Sequence, residues 1–315
     1  MWLIQVCFTL QIIERVEFKC KTITPLFMAG ADGKTAELRP PSIKGVLRFW
    51  WRAIHGNLSP DKLKETEKQI FGGVGENNNS LQSRFFVRVE EEKNGIKILP
   101  KELVPHKSFT TESIEGTFTV KFCLKPHSPE CITINEIRSL FIVSALLGGF
   151  GKRSRRGMGS IAIEEIDGSE FVIADLTEEL LKHLNVLNPK QFKQADQKQR
   201  SQNSFIISTF QKSPHSYPCI TKIEIGKPTE DNLPKKISNA SHSVNKNHAG
   251  GYHIEMGGIN NPPANINRFA SPIYASVVAD KSGKRPIITT LNNTLLINKK
   301  PNPDIPKEFK DEVFK

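Results

Sequence analysis

The 315-residue chain is poor in several things at once, and each shortage closes a class of function. Its five cysteines (Cys7, Cys20, Cys123, Cys131 and Cys219) are odd in number and form no CxxC pair. That argues against a disulfide framework or a zinc site and for free thiols in a reducing compartment. No run is long and apolar enough to span a bilayer. Met1 to Ile13 is apolar, but no basic region precedes it and no small-residue cleavage site follows, so it is not read as a signal peptide. The chain is expected to be intracellular, cytoplasmic and without a membrane partner. Acid is scarce as well: 33 acidic residues face 44 lysines and arginines, for a formal net charge of +11. Such a balance makes nucleic acid the leading partner class, ahead of an anionic membrane. No internal sequence repeat is evident.

What the chain does have is core and pattern. A hydrophobic content of 37% suits a globular protein, and the length favours two domains. Residues 2–18 alternate as a long strand, and 22–41 form an irregular loop. Pro40-Pro41-Ser42 opens a helix, with Ser42 as N-cap, that runs to about His55 and stops at Gly56 and Pro60. Residues 84–90 alternate as a strand before an Asn94-Gly95 turn, and Thr117 to Leu124 is a second strand. Thr133-Ile134-Asn135-Glu136 is a capping box, opening a helix to about Leu147 that is apolar on most sides. Ser160 to Glu164 follows as a strand. Strand, helix, strands, helix, strand is the ferredoxin-like order, also used by modules that present a sheet face to RNA.

The second half predicts a helix near Thr177–Leu187 and a polar helix or loop over Lys190–Gln202. It predicts a strand over Ile220–Ile225, a long loop over 238–268, and a hairpin of Ala275–Ala279 and Arg285–Leu291. Lys299 to Lys315 is a tail or short final helix. The domain boundary is expected near 165–172, giving units 1–168 and 169–315.

Two basic elements stand out. On the first helix, Ile43, Val46, Leu47, Trp50 and Ile54 form a core face, and Lys44, Arg48, Trp51, Arg52 and His55 form another. Cations interleaved with an indole suit single-stranded nucleic acid, gripped by charge and stacking. Phe49 and Trp50 are secondary stacking candidates. Arg39, Ser42, Lys44 and Gly45 stand where a helix N-terminus favours phosphate. The second element is Gly148–Ser160, five glycines with Lys152, Arg153, Arg155 and Arg156. A dinucleotide fingerprint needs a strand before it and a helix after it, and here the order is reversed. A P-loop would need Gly-Lys-Ser/Thr, but Arg153 follows Gly151-Lys152. What remains is a flexible basic loop for a phosphate backbone.

Catalytic signals are thin. His242, His248 and His253 lack the spacing of a helical metal pair, and Asp32 and Glu37 stand in a loop. No metal or cofactor is expected.

Thr24-Pro25-Leu26-Phe27-Met28-Ala29-Gly30-Ala31, with Glu37 through Ala53, resembles the RAMP superfamily of CRISPR proteins. Within it, the likeness is to the Cmr-one type of subunit of type III-B (Cmr) effector complexes. Gly148–Ser160 is similar to the glycine-rich loop of that superfamily. Phe71-Gly72-Gly73 and Arg268-Phe269-Ala270-Ser271-Pro272-Ile273 are similar to its patterns too. The resemblance implies an α+β chain with two ferredoxin-like (RRM-like) domains. It implies a non-catalytic RNA-binding subunit whose partners are CRISPR RNA, target single-stranded RNA and other Cmr subunits. The RNA-binding residues would be Arg39, Ser42, Lys44, Gly45, Arg48, Trp51, Arg52, Lys152, Arg153, Arg155 and Arg156. The alternative is a metal-independent endoribonuclease acting on precursor CRISPR RNA. Some RAMP proteins place a histidine after the first strand; residues 19–41 contain none, and His55 is the nearby substitute. A structural adaptor is the third class.

Overall fold

The computed structural model describes residues 14–74, 80–104, 109–125, 131–195, 204–209, 217–248, 255–257, 270–292 and 302–315. The first unit runs β1 (Arg15–Thr22), α1 (Pro40–Ile54), α2 (Pro60–Phe71), β2 (Gly73–Val74), β3 (Ser80–Leu81), β4 (Phe85–Glu102), β5 (Thr110–Leu124), α3 (Ile134–Leu147), β6 (Ile161–Ile166) and β7 (Ser169–Glu170). Its sheet has the order β4-β5-β1-β6-β7, all antiparallel. The four main strands thus take the ferredoxin-like positions, with α1 and α3 as the crossover helices. β7 pairs with β6 across Asp167-Gly168, so the first sheet extends to residue 170. Of the strand expected over residues 2–18, residues 2–13 lie outside the described residues.

The second unit contains α4 (Leu176–Leu187), β8 (Phe192–Gln194), β9 (Ser204–Ser208), β10 (Ile220–Ile225), α5 (Leu233–Asn247), β11 (Ile273–Asp280), β12 (Gly283–Leu291) and α6 (Asp304–Phe314). Its sheet order is β11-β12-β10-β9-β8. The run β10-α5-β11-β12-α6 follows the ferredoxin-like path. The fourth position, beside β10, is filled by β9, which precedes β10 in the chain. The second sheet is therefore a circular permutation of the first.

Three local expectations change. α1 begins three residues earlier than expected: Arg39, not Ser42, is the N-cap, Pro40 and Pro41 fill the first helical positions, and Ser42 lies inside the helix. Proline fits there because its fixed φ suits a first turn and its missing N–H would be unpaired anyway. Asn94-Gly95 is no hairpin turn. β4 continues through an irregularity between Glu91 and Ile96, and pairs with β5 as far as Glu102. Gly116 has φ of 131°, and a Cβ there would meet the Gly95 carbonyl at 2.1 Å, so two glycines let the strands cross closely. Residues 233–247, placed largely in a loop by their Asn and Ser content, form α5. Asn232 accepts from the Lys235 amide, and Leu233, Ile237, Ala240 and Val244 bury one face.

The capping box at Thr133 is present as expected: Thr133 accepts from the Glu136 amide at 3.1 Å, and Glu136 accepts from the Thr133 amide at 2.7 Å. From Ile137 to Leu147, α3 is buried at every position except Arg138. On one side Phe141 packs against Phe18 and Phe122, at ring distances of 4.5 and 5.2 Å. On the other side Ser276 of β11 donates to the Leu146 carbonyl at 2.9 Å. A helix apolar all round needs cover all round, and here both sheets supply it. One core consequently runs through both units, from Val16 to Leu291.

Candidate nucleic-acid interface

The core face of α1 is as expected, with Ile43, Leu47, Trp50 and Ile54 buried. Its basic face is not the open stripe the sequence predicts, because α2 lies over it. Ser59 caps α2 by accepting from the Lys62 amide, Pro60 sits at its first position, and Leu63, Ile70 and Phe71 bury its inner side. The sequence reading took Gly56 and Pro60 only as a stop; Ser59-Pro60-Asp61 was the missed helix start. Glu67 of α2 pairs with Arg48 at 3.1 Å and with Arg52 at 3.5 Å. Arg48 also donates to the Gly72 carbonyl at 2.5 Å. Trp51 is only 4% exposed, stacked on His55 at 4.3 Å and edge-on to Phe71 at 6.3 Å. It cannot present a face to a base. Trp50 is core, and Phe49 lies against Tyr274 at 5.3 Å.

The start of α1 differs too. Pro40 and Pro41 have no N–H, and the Ser42 and Ile43 amides both donate to the Arg39 carbonyl, at 3.0 and 3.2 Å. The first turn offers little backbone donation to phosphate, so its anion affinity must come from side chains. Arg39 is loosely paired with Glu37, at 4.0 Å. Lys44 lies over the Phe85 ring at 4.9 Å. Burial, then the neighbouring Arg48 and Lys125 charges, push its ammonium down to about 8. Gly45 is exposed, and a Cβ added there would meet nothing within 4 Å.

The glycine-rich loop is packed, not free. Phe150 and Met158 are buried, and the Phe150 amide donates to the Gly159 carbonyl at 2.9 Å. Gly151 has φ of 83° and lies where a Cβ would meet the Phe27 carbonyl at 2.3 Å. Gly159, at φ of 69°, would meet Phe150 at 1.9 Å. The glycines therefore allow close backbone approach within the chain.

Its four cations split. The Lys152 ammonium is exposed and donates to the Gly33 carbonyl at 3.0 Å. Arg153 is half-buried with φ of 60°, and its Nε finds no acceptor among the described residues. Burial lowers its pKa. Arg155 and Arg156 turn toward the second unit. The Arg155 guanidinium lies over Tyr274 at 4.6 Å and donates to the Ser271 carbonyl. Arg156 donates to the Ser241 hydroxyl and to the Arg155, Ile273 and Met256 carbonyls, at 2.9–3.3 Å. Burial and its two arginine neighbours lower its pKa to about 10. The backbone joins in: Gly157 donates to the Ala275 carbonyl, and Ala275 donates to that of Arg155. Arg155 and Arg156, expected on RNA, instead fasten the two units together.

Loop 27–39 and the glycine-rich loop meet where the Lys152 amide and ammonium donate to the Phe27 and Gly33 carbonyls, and α1 starts directly after Arg39. Lys34, Arg39, Lys152 and Arg153 stand on these segments and Lys44 one turn into α1, while Arg48 and Arg52 are partly exposed beside Glu67. Residues 19–162 match the family model for the RAMP superfamily. Over 180 residues the chain is 32% identical to CRISPR system Cmr subunit Cmr1-2 of Pyrococcus furiosus, an alignment covering 47% of this chain and 94% of that protein. The chain belongs to the Cmr1 family of RAMP proteins. It is also 31% identical to the Cmr1-1 subunit of the same organism over 173 residues, covering 51% of this chain and 50% of that one. The crystal structure of Pyrococcus furiosus Cmr1 in its apo form matches with a TM-score of 0.54 at 17% identity, covering 95% and 96% of the two chains. A chain of the Type III-B Cmr-beta complex bound to cognate target RNA matches at 0.55 and 13%, covering 95% and 99%. At those identities the likeness is one of fold.

In this Cmr1-family chain, groups that look catalytic are engaged elsewhere. Both ring nitrogens of His55 meet carbonyl oxygens, Trp51 at 2.7 Å and Leu187 at 3.1 Å, and burial lowers its pKa. Ser139, His183 and Glu179 form a serine–histidine–glutamate chain at 3.0 and 2.8 Å, but Ser139 is fully buried between α3 and α4, so no substrate reaches it. Asp32 accepts from the Thr35 hydroxyl and from the Lys34 and Thr35 amides, and these bonds, the hydroxyl first, hold its pKa low. His242 lies on α5, His248 pairs with Glu308 at 2.7 Å, and His253 is outside the described residues. No group of three potential metal ligands occurs among the described residues. No described helix is long and apolar enough to cross a membrane.

On its two central strands, β1 and β5, the outer sheet face shows none of the aromatics that RRM-type stacking uses among the described residues. Its central strands present Glu17, Lys19 and Lys21 on β1, and Thr119, Lys121 and Cys123 on β5. Lys121 bridges Glu17 and Glu90 there. Phe86, on edge strand β4, is 54% exposed with the Lys125 ammonium 4.8 Å from its ring. The sequence reading passed over it.

Proposed function

We propose that this chain is a non-catalytic subunit of a cytoplasmic type III-B Cmr complex that holds single-stranded RNA, guide or target, across the junction of loop 27–39, α1 and the glycine-rich loop. Lys34, Arg39, Lys44, Lys152 and Arg153 meet phosphates, and Gly45 leaves room for the backbone to lie close to α1. One observation carries this reading: Lys44 and Arg153 are cations partly removed from water with no carboxylate partner among the described residues. Such placement costs free energy unless an anion arrives. The Cmr1 relatives and the likeness to a chain of an RNA-bound Cmr-beta complex support it and supply the partners: other Cmr subunits, CRISPR RNA and target RNA. Cleavage is disfavoured because His55 has both nitrogens occupied.

The test is titration of the purified chain with end-labelled single-stranded RNA, in EDTA, over a range of salt. Affinity should fall linearly on a log–log plot, by about 0.7 per phosphate contact, and the RNA should remain intact. Salt-independent binding would remove the basic groove. Cleavage abolished by His55→Ala would replace the reading with an endoribonuclease.

A further inference from the structure

The two sheets come side by side at β6 and β11, and the β11 edge that faces β6 is only partly covered. β11 hydrogen-bonds to β12 through alternate residues, so Ala275, Val277 and Ala279 direct their backbone groups the other way. The first of these is satisfied by the glycine-rich loop: Ala275 accepts from Gly157 at 2.8 Å and donates to Arg155 at 3.2 Å. At the second, the Val277 amide donates to the Ser160 hydroxyl at 3.1 Å. There the chain partner ends. The Val277 carbonyl has no hydrogen bond among the described residues but is fully buried, so the open part of the edge is Ala279, neither of whose backbone groups has one. Opposite, β6 pairs with β7 at Glu165 and Ile166, and the Phe171 amide donates to the Glu164 carbonyl at 2.8 Å.

Between the two edges opens a cleft of about 710 Å³. Its walls are Ile161–Glu165 and Glu170–Ile173 on one side and Val278–Lys281 on the other, and α3 supplies an apolar floor through Ala145 and Leu146. Its charge runs against that of the chain. In a protein of net charge +11, the lining holds four carboxylates (Glu164, Glu165, Glu170 and Asp280) and one ammonium, Lys281. Asp280 is paired with Arg285 at 2.8 Å and Glu165 with Lys19 at 3.0 Å. Glu164 meets Lys21 only at 3.9 Å, and Glu170 makes no ion pair among the described residues. RNA is repelled by such a rim.

We propose that this cleft takes an extended, basic segment of a partner protein as an added strand on β11. The segment's backbone continues the ladder that Arg155–Gly157 begins, alternate apolar side chains face the α3 floor, and lysines or arginines meet Glu164 and Glu170. Main-chain hydrogen bonds supply affinity in this mode of recognition, and alternate side chains supply selectivity. The site is separate from the proposed RNA groove and stands whether or not that reading does.

The probe is a labelled peptide of about nine residues, alternating valine and lysine, long enough for one strand. It is titrated against the full chain by fluorescence anisotropy, beside a valine–glutamate peptide and a version N-methylated at alternate amides. The lysine peptide should bind, and the other two should bind at least about tenfold more weakly. Ala279→Pro should weaken it about as much, since proline removes an outward N–H and leaves the β11–β12 ladder intact. Glu164→Gln/Glu170→Gln should weaken it several-fold. Absence of binding, indifference to N-methylation, or displacement by single-stranded RNA would each overturn the proposal. The N-methylated peptide decides the matter even if Ala279→Pro fails to fold.

Discussion

Arg153 and Arg156 stand three residues apart in one loop, carry the same side chain, and do opposite things. Arg156 spends most of its donors on the second unit, on the Ser241 hydroxyl and the Ile273 and Met256 carbonyls, and one more on the Arg155 carbonyl beside it. It has no carboxylate partner among the described residues, so its charge is held by peptide and hydroxyl dipoles and by the Phe309 ring. Arg153 sits in a left-handed backbone conformation, rare for a residue with a Cβ, and keeps an unpaired Nε. The first arginine is a fastener, and the second is the one proposed to meet RNA, the probe of the pair. A loop can thus look uniformly basic in sequence while half of its charge is already committed to the fold.

The largest expected effect tests the fastener. Arg156→Ala leaves buried carbonyls unpaired and a gap beside Phe309, whose ring lies 5.7 Å from the guanidinium. It should cost on the order of 3 kcal/mol in urea denaturation. Arg156→Lys should recover little, because one ammonium cannot reproduce the fork. A loss below about 0.5 kcal/mol would erase the contrast with Arg153.

The probe is tested next. Lys152→Ala/Arg153→Ala should leave unfolding nearly unchanged and weaken single-stranded RNA binding about tenfold or more at low salt, with a log–log slope shallower by about 1.4 for two lost contacts. If stability falls and binding does not, the two arginines have exchanged roles.

Elements specified by near neighbours were legible from the chain alone. The Thr133 capping box, α3 and the β11–β12 hairpin each rest on signals within a few residues, and each stands close to where the sequence puts it. The first ferredoxin-like order followed from those elements. α2 and α5 were missed for local reasons too: Pro60 serves as a start as well as a stop, and α5 is built of Asn, Ser and Lys over a sparse apolar stripe. The site was less legible because side-chain commitments are made over long distances. Trp51 is closed by Phe71, Arg48 and Arg52 share the single carboxylate of Glu67, and Arg156 is enclosed by residues from 241 onward. Periodicity identifies the face of a helix and is silent about which later element covers it. Gly45 is the opposite case: its sequence position made it a candidate, and the fold leaves the space above it open.

Lys44 extends the contrast to pH, with a smaller effect and two opposite signs. Its folded-state pKa of about 8 lies below the usual lysine value of 10.5. Between those values the unfolded chain holds the proton more tightly, so this group's contribution to stability rises with pH from about 8 upward. Bound phosphate favours the charged form, so RNA affinity should be full below about 8 and decline as pH rises through it. Lys44→Arg should flatten both trends, because arginine stays charged throughout. RNA affinity that holds steady from pH 7 to 10 would detach Lys44 from the groove.

The smallest effect belongs to Gly45. Glycine inside a helix costs about 0.5–1 kcal/mol relative to alanine, and nothing in this fold requires it at this position, where a Cβ meets open space. Gly45→Ala should therefore stabilise the chain by about that amount in thermal or urea melts. A larger side chain should keep part of the gain, because the space is open, and should weaken RNA binding by standing where the backbone passes. Stability and affinity would then move in opposite directions at one residue, as they do between Arg156 and Arg153. A Gly45→Leu chain that binds RNA as well as the parent would show that the backbone does not cross α1, and would confine the groove to the two loops.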